Sequence, residues 1–409
     1  MSPIDVTEAI TQAHRDEWAR VVAGLTRRFG DLDIAEEAAA EAFATAVGRW
    51  PADGVPPNPG AWLTTTASRK AIDRIRRESR RDDKQKEAQM LYDDSPEPPG
   101  AIDDDRLRLI FTCCHPALGM ETRVALTLRM VGGLTVAEIS RAFLVQETAM
   151  ERRITRAKAK IREARIPYRM PSAEDLPVRV SGVLAVLFLV FNEGYLATGP
   201  GTDPVRHDLT AEAIRLTRLI RALMPHDGEV AGLLALMVLT DARRTARVSA
   251  SGELVTLDEQ DRGAWDAALI AEGHRLVRER LAAGVAPGRY QILAAISAVH
   301  TSARDMRDTD WSQVVALYDQ LVRLDSSPVI ALNRAIAVAE LDGPEVALAV
   351  IDRLADKLAG YHAYYAARAD LLRRLGRTQQ SRAAYDKAIE LAGNTAESAS
   401  LTRRRDQLG

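Results

Sequence analysis

The stretch LTVAEISRAFLVQETAMERRITRAKAKIREA, residues 134–164, carries two helical signals separated by a short break. Thr135 and Glu138 stand at the S/T-x-x-E spacing of a capping box, which satisfies free amide donors at a helix start. Val136, Ile139 and Phe143 follow on one apolar face. After the break at residues 144–147, Met150, Ile154, Ala157 and Ile161 recur on one side of a second predicted helix. Arg152, Arg153, Arg156, Lys158 and Lys160 cover its remaining surface. This is the layout of a helix-turn-helix, whose second helix enters the DNA major groove. Arginine there can donate two hydrogen bonds to guanine, and other basic residues can hold phosphates. Leu144 stands where the turn usually has glycine, which leaves open an ordinary α-hairpin with a solvated basic helix.

Upstream, GAWLTTTASRKAIDRIRRESRR, residues 60–81, places seven basic residues and Trp62 on one predicted helix. A solvated face accounts for the charges alone, and a nucleic-acid surface accounts for charges and aromatic together. Trp62 either packs beneath a melted strand or anchors the helix to its own core, and we read it as the anchor. The preceding PADGVPPNPG, residues 51–60, has too many prolines for a helix and reads as a loop. Between the two basic segments, residues 81–105 are acidic, proline-rich and nearly free of aromatics, the composition of a flexible linker. A further boundary falls at residues 166–177, where two prolines and a cap-like Ser172 interrupt the helical pattern.

Apolar residues recur at three and four along almost all of the 409 residues, and period-two alternation is scarce, so the fold is expected to be all-α. The exception is ARVSASGELVTL, residues 246–257, where Ser251-Gly252 could turn a hairpin. In the last hundred residues Tyr318, Ile351 and Tyr385 are 33 and 34 apart. Val314, Ala347 and Ser381 keep the same step, as do Leu321, Leu354 and Ala388. A period near 34 with small residues four positions before a bulky one resembles the tetratricopeptide repeat. YYAARADLLRRLGRTQQSRAAYDKAIELAG, residues 364–393, is the best copy, though stacked helical hairpins of chance composition give a similar pattern.

A formal net charge of -2 excludes a uniformly basic nucleic-acid binder, so polyanion contacts must come from local patches. The two cysteines, Cys113 and Cys114, are adjacent, a poor geometry for a structural disulfide, and fit a reducing cytosol. The N-terminal residues lack the basic and apolar segments of a signal peptide. The most apolar run, VLAVLFLVF at residues 183–191, is much shorter than the roughly 20 residues that span a bilayer. It reads as a buried helix core, so a cytoplasmic chain without membrane contact is expected.

Catalytic and metal chemistry find little support. Cys113, Cys114 and His115 cannot readily converge on one tetrahedral ion, and no second cysteine or histidine pair completes a site. Glu193 in FNEGY, residues 191–195, could act as a general acid or base, but a lone glutamate is more often a cap or an internal ion-pair partner. His362 sits among aromatics, where a groove and a packed core are equally compatible with the pattern. There is no phosphate-binding glycine loop. No cofactor and no enzymatic activity are expected.

The two basic helices, their order and the acidic segment between them resemble the extracytoplasmic-function class of sigma-70 transcription initiation factors, over roughly residues 10–166. In DIAEEAAAEAFATAVGRW, residues 33–50, Glu37, Glu41, Phe43 and Ala46 match the family's polymerase-clamp-binding segment, with Ala40 in place of a common glutamine. The resemblance implies that Glu37, Glu41 and Phe43 bind core RNA polymerase, which the family engages at its clamp and flap regions. In residues 60–81, Trp62, Leu63, Ala67, Ala71, Ile72, Asp73, Arg76 and Arg77 fall in register with the segment that melts and reads the -10 element. The implied contacts to the melted non-template strand are Arg69, Lys70, Asp73, Arg74, Arg76 and Arg77. Arg69 replaces a frequent asparagine, and residues 51–59 correspond to the loop that holds a flipped base.

FLVQETAMERRITRAKAKIR, residues 143–162, resembles the family's -35-reading helix position by position. The implied contacts to duplex promoter DNA are Thr148, Glu151, Arg152, Arg153, Thr155, Arg156 and Lys158. Glu151 is unusual there, and its carboxylate can accept from cytosine N4. FTCCHPAL, RAFLV, FNEGY and the repeat-like tail together resemble the subgroup with a long C-terminal tetratricopeptide extension. The implied domains are region 2 at residues 1–82, an acidic linker at 83–104 and region 4 at 105–166. A helical regulatory domain at 167–310 and repeats at 311–409 follow. The implied function is promoter-specific initiation, with the extension contacting the sigma domains and regulating them. The alternative is a helical repeat scaffold without sequence-specific DNA binding.

Overall fold

The computed structural model describes residues 3–79, 101–143, 145–196, 205–249, 254–393 and 395–408. Most of the acidic segment, at residues 80–100, and the turn position Leu144 lie outside them. The chain divides into two compact units, Met1–Leu189 and Val190–Gly409. Both are helical, and the described residues contain no β-strand beyond an isolated antiparallel bridge, Val248 to Leu254. That bridge stands where a hairpin was expected. Only its two ends pair, because residues 244–247 are taken up by a short helix, and the turn itself lies outside the described residues.

The first unit begins with α1 (Pro3–Phe29), α2 (Leu32–Asp53) and α3 (Pro59–Ser79), which pack on one another. Asp31 caps α2 by accepting from the amides of Asp33 at 2.7 Å and Ile34 at 3.1 Å. Pro51, expected in a loop, is helical. A proline in the last turn of α2 removes only one amide bond, and the chain leaves the helix at Gly54, whose N–H closes on the Trp50 carbonyl. The proline-rich loop is therefore short, and Pro59 already opens α3, with Asn58 accepting from the Ala61 amide at 3.0 Å. Trp50, fully buried, meets Trp62 edge to face at 5.5 Å, which anchors α3 to α2 as the sequence suggested.

Next come α4 (Ala101–Cys113), α5 (Met120–Met130), α6 (Val136–Ala142) and α7 (Glu147–Glu163). The capping box at α6 is complete, with Thr135 and Glu138 each bonding the other's backbone amide. Met150, Ile154, Ala157 and Ile161 are the buried residues of α7 and pack it on α5 and α6. The apolar run of residues 183–191 sits in a longer helix, α8 (Leu176–Tyr195). Among the described residues this helix is long and apolar enough to cross a bilayer. Val183, Leu184, Val186, Leu187, Val190 and Phe191 are buried, while Val178 and Leu189 are exposed.

The second unit continues with α9 (His207–Leu223), α10 (Gly228–Asp241), α11 (Arg244–Arg247), α12 (Ala267–Ala282) and α13 (Arg289–Ser302). Helix α10 is buried almost all round, which its unbroken apolar composition requires, and α9, α12 and α13 enclose it. Six further helices run to the end: α14 (Trp311–Leu324), α15 (Pro328–Leu341), α16 (Pro344–Asp352), α17 (His362–Arg374), α18 (Thr378–Leu391) and α19 (Thr395–Asp406). Each packs on the next. The repeat-related Val314, Ala347 and Ser381 all fall on fully buried positions of α14, α16 and α18. Ser381 keeps its hydroxyl satisfied by donating to the Ala369 carbonyl at 2.8 Å.

Candidate nucleic-acid interface

Helix α7 has two distinct polar sides. Thr148, Glu151, Arg152, Thr155 and Arg156 are exposed along one of them. Among the described residues neither Arg152 nor Arg156 has a carboxylate within ion-pair distance; Arg156 donates only to the Arg152 carbonyl, at 3.2 Å. Two unneutralised guanidinium groups one turn apart form the electrostatic footprint expected of a helix that meets phosphates and base edges. Arg153 differs, pairing with Glu121 of α5 at 3.1 Å.

The other side of α7 faces the start of α2. Lys158 Nζ donates to Asp33 and to Glu36, each at 2.6 Å, and its side chain is only 11% exposed. Burial alone lowers the Lys158 pKa, but the two carboxylates outweigh it and hold the ammonium above its ordinary value. Arg162 extends the contact to Asp31 at 3.4 Å and Asp33 at 3.6 Å. On α5, Arg129 donates to Glu36 at 2.5 Å. Trp18 of α1 donates its indole N–H to the Met130 carbonyl at 3.1 Å. Gly133 lets the turn after α5 lie against His14 and Trp18, for a Cβ there would come within 2.6 Å of the imidazole; its φ of 76° also favours glycine. Region 4 is thus clamped on α1 and α2 by buried charge and one aromatic hydrogen bond. Lys158, carried over as a DNA contact, is spent inside the protein in this arrangement.

Helices α2 and α3 bring two other sets of candidate residues together. Lys70 pairs with Glu41 at 3.4 Å, and Arg74 pairs with Glu37. The implied strand contacts and polymerase contacts therefore neutralise one another, in pairs one helical turn apart. All four side chains are between 31% and 49% exposed, and surface pairs of this kind contribute about 0–1 kcal/mol. Arg69, Asp73, Arg76 and Arg77 are exposed, with Arg77 Nε donating to the Asp73 carbonyl at 3.3 Å. Phe43 is buried at 6% exposure, packed against His14 at 4.9 Å and Trp18 at 5.7 Å between ring centroids. It serves the core, which leaves Glu37 and Glu41 as the members of that implied set on the surface of α2. Val47, 56% exposed on the same helix, joins them as an apolar candidate. It was hidden in the sequence because the apolar spacing of α2 does not separate an exposed valine from a core one.

In the Cys113-Cys114-His115 motif the two cysteines pack in the core, and His115 is partly exposed. Both thiols are free and buried, burial pushes the Cys114 thiol up to about 11, and its sulfur lies 3.3 Å from the Thr127 hydroxyl. Thiols held protonated are poor ligands and nucleophiles. Among the described residues no cluster of three or more metal-ligating side chains occurs.

The comparisons agree with this architecture. Residues 14–81 match sigma-70 region 2, and residues 108–161 match sigma-70 region 4. Residues 179–281 match DUF6596, a family of unknown function. The uncharacterised protein R00370 of Rhizobium meliloti is 43% identical over 396 residues, covering 95% of this chain and 93% of that protein. A probable ECF RNA polymerase sigma factor, SigI of Mycobacterium tuberculosis, is 29% identical over 180 residues, covering 42% of this chain and 60% of SigI. No solved structure matches. A helical region 2 followed by a helix-turn-helix region 4 defines a sigma factor, a class that acts in transcription initiation and is not one of enzymes. The chain carries the two sigma-70 regions in that order, is similar to an extracytoplasmic-function sigma factor over its first part, and has a long C-terminal extension.

Proposed function

We propose that this protein binds core RNA polymerase and directs it to promoters by reading the -35 element as duplex and the -10 element as melted strand. The observation that carries the proposal is the exposed side of α7, where Arg152 and Arg156 stand without carboxylate partners among the described residues, beside Thr148, Glu151 and Thr155. Arg152 and Arg156 supply guanine contacts, Glu151 accepts from cytosine, and Arg153 holds backbone. Helix α3 presents Arg69, Lys70, Asp73, Arg74, Arg76 and Arg77 to the non-template strand. Glu37 and Glu41 of α2 meet basic groups on the polymerase clamp. Residues 167–409 act as a regulatory module on the two sigma regions, and the stacked, tetratricopeptide-like helices of its second half suit it to binding protein segments.

Run-off transcription with purified core polymerase on a promoter library tests the proposal, using the full chain and a truncation after Ile166. Promoter-specific transcripts are expected from the full chain, with altered output from the truncation. Absence of specific transcripts from both overturns the initiation role. Identical output from both overturns the regulatory one.

A further inference from the structure

We propose that the second unit contains a binding site for a small apolar acid, a carboxylate on a short hydrocarbon body, in a cavity lined by α10, α12, α13 and α14. The inference goes beyond the transcription role and does not rest on it. The cavity has a volume of about 250 Å³. Gly232 of α10 forms part of its wall, and a Cβ there would come within 2.5 Å of the Gln291 amide nitrogen, so α10 and α13 meet backbone to backbone.

Most of the lining is hydrocarbon. Ala235 of α10, Leu276 and Val277 of α12, Ile292 of α13 and Leu317 of α14 all face the cavity. Leu281 and Val285 carry the lining out to the surface at 71% and 62% exposure, and they are the two most exposed large apolar side chains described in residues 190–409. Hydrocarbon left in water at the mouth of an apolar cavity costs free energy, and an apolar guest removes that cost by covering it. A cavity of about 150 Å³ holds a benzene molecule, so this one has room for a chain or a ring together with a head group.

Three polar side chains line the same cavity and decide the head group: Arg280, Gln291 and Gln320. Arg280 and Gln291 converge over the bare Cα of Gly228, at the start of α10. Nη2 of Arg280 and Nε2 of Gln291 both lie within 2.6 Å of the point where a Cβ would stand, so a guanidinium and an amide stand together at one side of the cavity. Among the described residues no carboxylate lies within 4.0 Å of Arg280. The neighbouring ones are committed elsewhere. Glu229 accepts from the amides of Tyr290 at 3.1 Å and Gln291 at 3.2 Å, and Glu279 pairs with Arg221. A half-buried guanidinium set against hydrocarbon lacks its counter-charge, and a carboxylate accepts from it in two parallel hydrogen bonds. One cation matches a monoanion, which selects a carboxylate over a phosphate dianion. The side-chain amides of Gln291 and Gln320 supply neutral donors for the remaining lone pairs.

Calorimetric titration of the full-length protein with sodium octanoate, octanol and sodium acetate tests the site. Octanoate is expected to bind saturably and about tenfold or more tighter than octanol, which keeps the chain and lacks the charge. Acetate, which keeps the charge and lacks the chain, is expected to show no binding over the same concentrations. R280Q should bring octanoate down to the affinity of octanol and leave octanol unchanged. A295F, which fills the cavity from α13, should abolish the binding of both, and it carries the test should R280Q not fold. Absence of saturable octanoate binding, an octanoate preference unchanged in R280Q, or binding undiminished in A295F overturns the site.

Discussion

His300 shows how one side chain ties stability to pH. Burial first, then the charges of Arg243 and Arg262, lower its pKa to about 4. A group whose folded pKa is depressed contributes stability above its unfolded value, near 6.5, and loses that contribution as pH falls through the folded one. The second unit is therefore expected to lose stability between about pH 6.5 and pH 4, with a slope of up to ~1.4 kcal/mol per pH unit from this residue. Chemical denaturation of wild type and H300Q across that range checks it; the variant's curve should be flatter, and parallel curves refute the assignment. At this scale the sequence was partly legible. The edge-to-face contact of Trp62 with Trp50 agrees with an anchoring residue, which the apolar register of the segment suggested. The core packing of Phe43 and the ion pairs of Lys158 were not legible, since whether a side chain faces solvent or another domain depends on contacts far away in sequence.

Among elements, α6 and α7 were the easiest to read. The capping box and the four-residue apolar stripe are local signals, and each position expected to be buried on α7 is buried. The clamp between α2 and α7 was invisible, because Asp33 and Lys158 are 125 positions apart and no local pattern marks the pair. Its consequence is electrostatic: Asp31, Asp33 and Glu36 place negative charge beside the half of α7 where flanking phosphates would approach. D33N is the informative change, since Asp33 is partly exposed while Glu36 also neutralises the half-buried Arg129. Fluorescence anisotropy with -35 duplex should show D33N binding several-fold to about tenfold tighter than wild type, up to ~1.4 kcal/mol. Unchanged affinity is the result that dismisses the clamp as a brake.

For the whole molecule, the near-neutral charge and the local basic faces make a joint prediction. The groups on α7 without carboxylate partners among the described residues are Arg152, Arg156 and Lys160. Three such cations brought into the field of the duplex, at its phosphates or at base edges beside them, give a slope near -2.7 in a plot of log affinity against log salt, because each displaces about 0.9 counterion from duplex DNA. A titration of the full chain from 50 to 200 mM salt, roughly the usual experimental span, should therefore find a modest dependence; a slope beyond about -6 shows that other faces bind. The all-α class and the order of the sigma regions were written in periodicity and in matching segments. The grouping of residues 190–409 into one unit was not, because helix-on-helix packing depends on three-dimensional faces that a repeat of period 34 indicates only for the last hundred residues.

On the proposed function, the pairs Lys70 with Glu41 and Arg74 with Glu37 make the polymerase clamp and the melted strand thermodynamically dependent on each other. A clamp that takes Glu37 and Glu41 for its own cations releases Lys70 and Arg74 to the strand. Reciprocity then requires a strand that takes Lys70 and Arg74 to favour the clamp by the same factor. The free protein pairs these charges with one another, and in the proposed complex the clamp takes Glu37 and Glu41 while the strand takes Lys70 and Arg74.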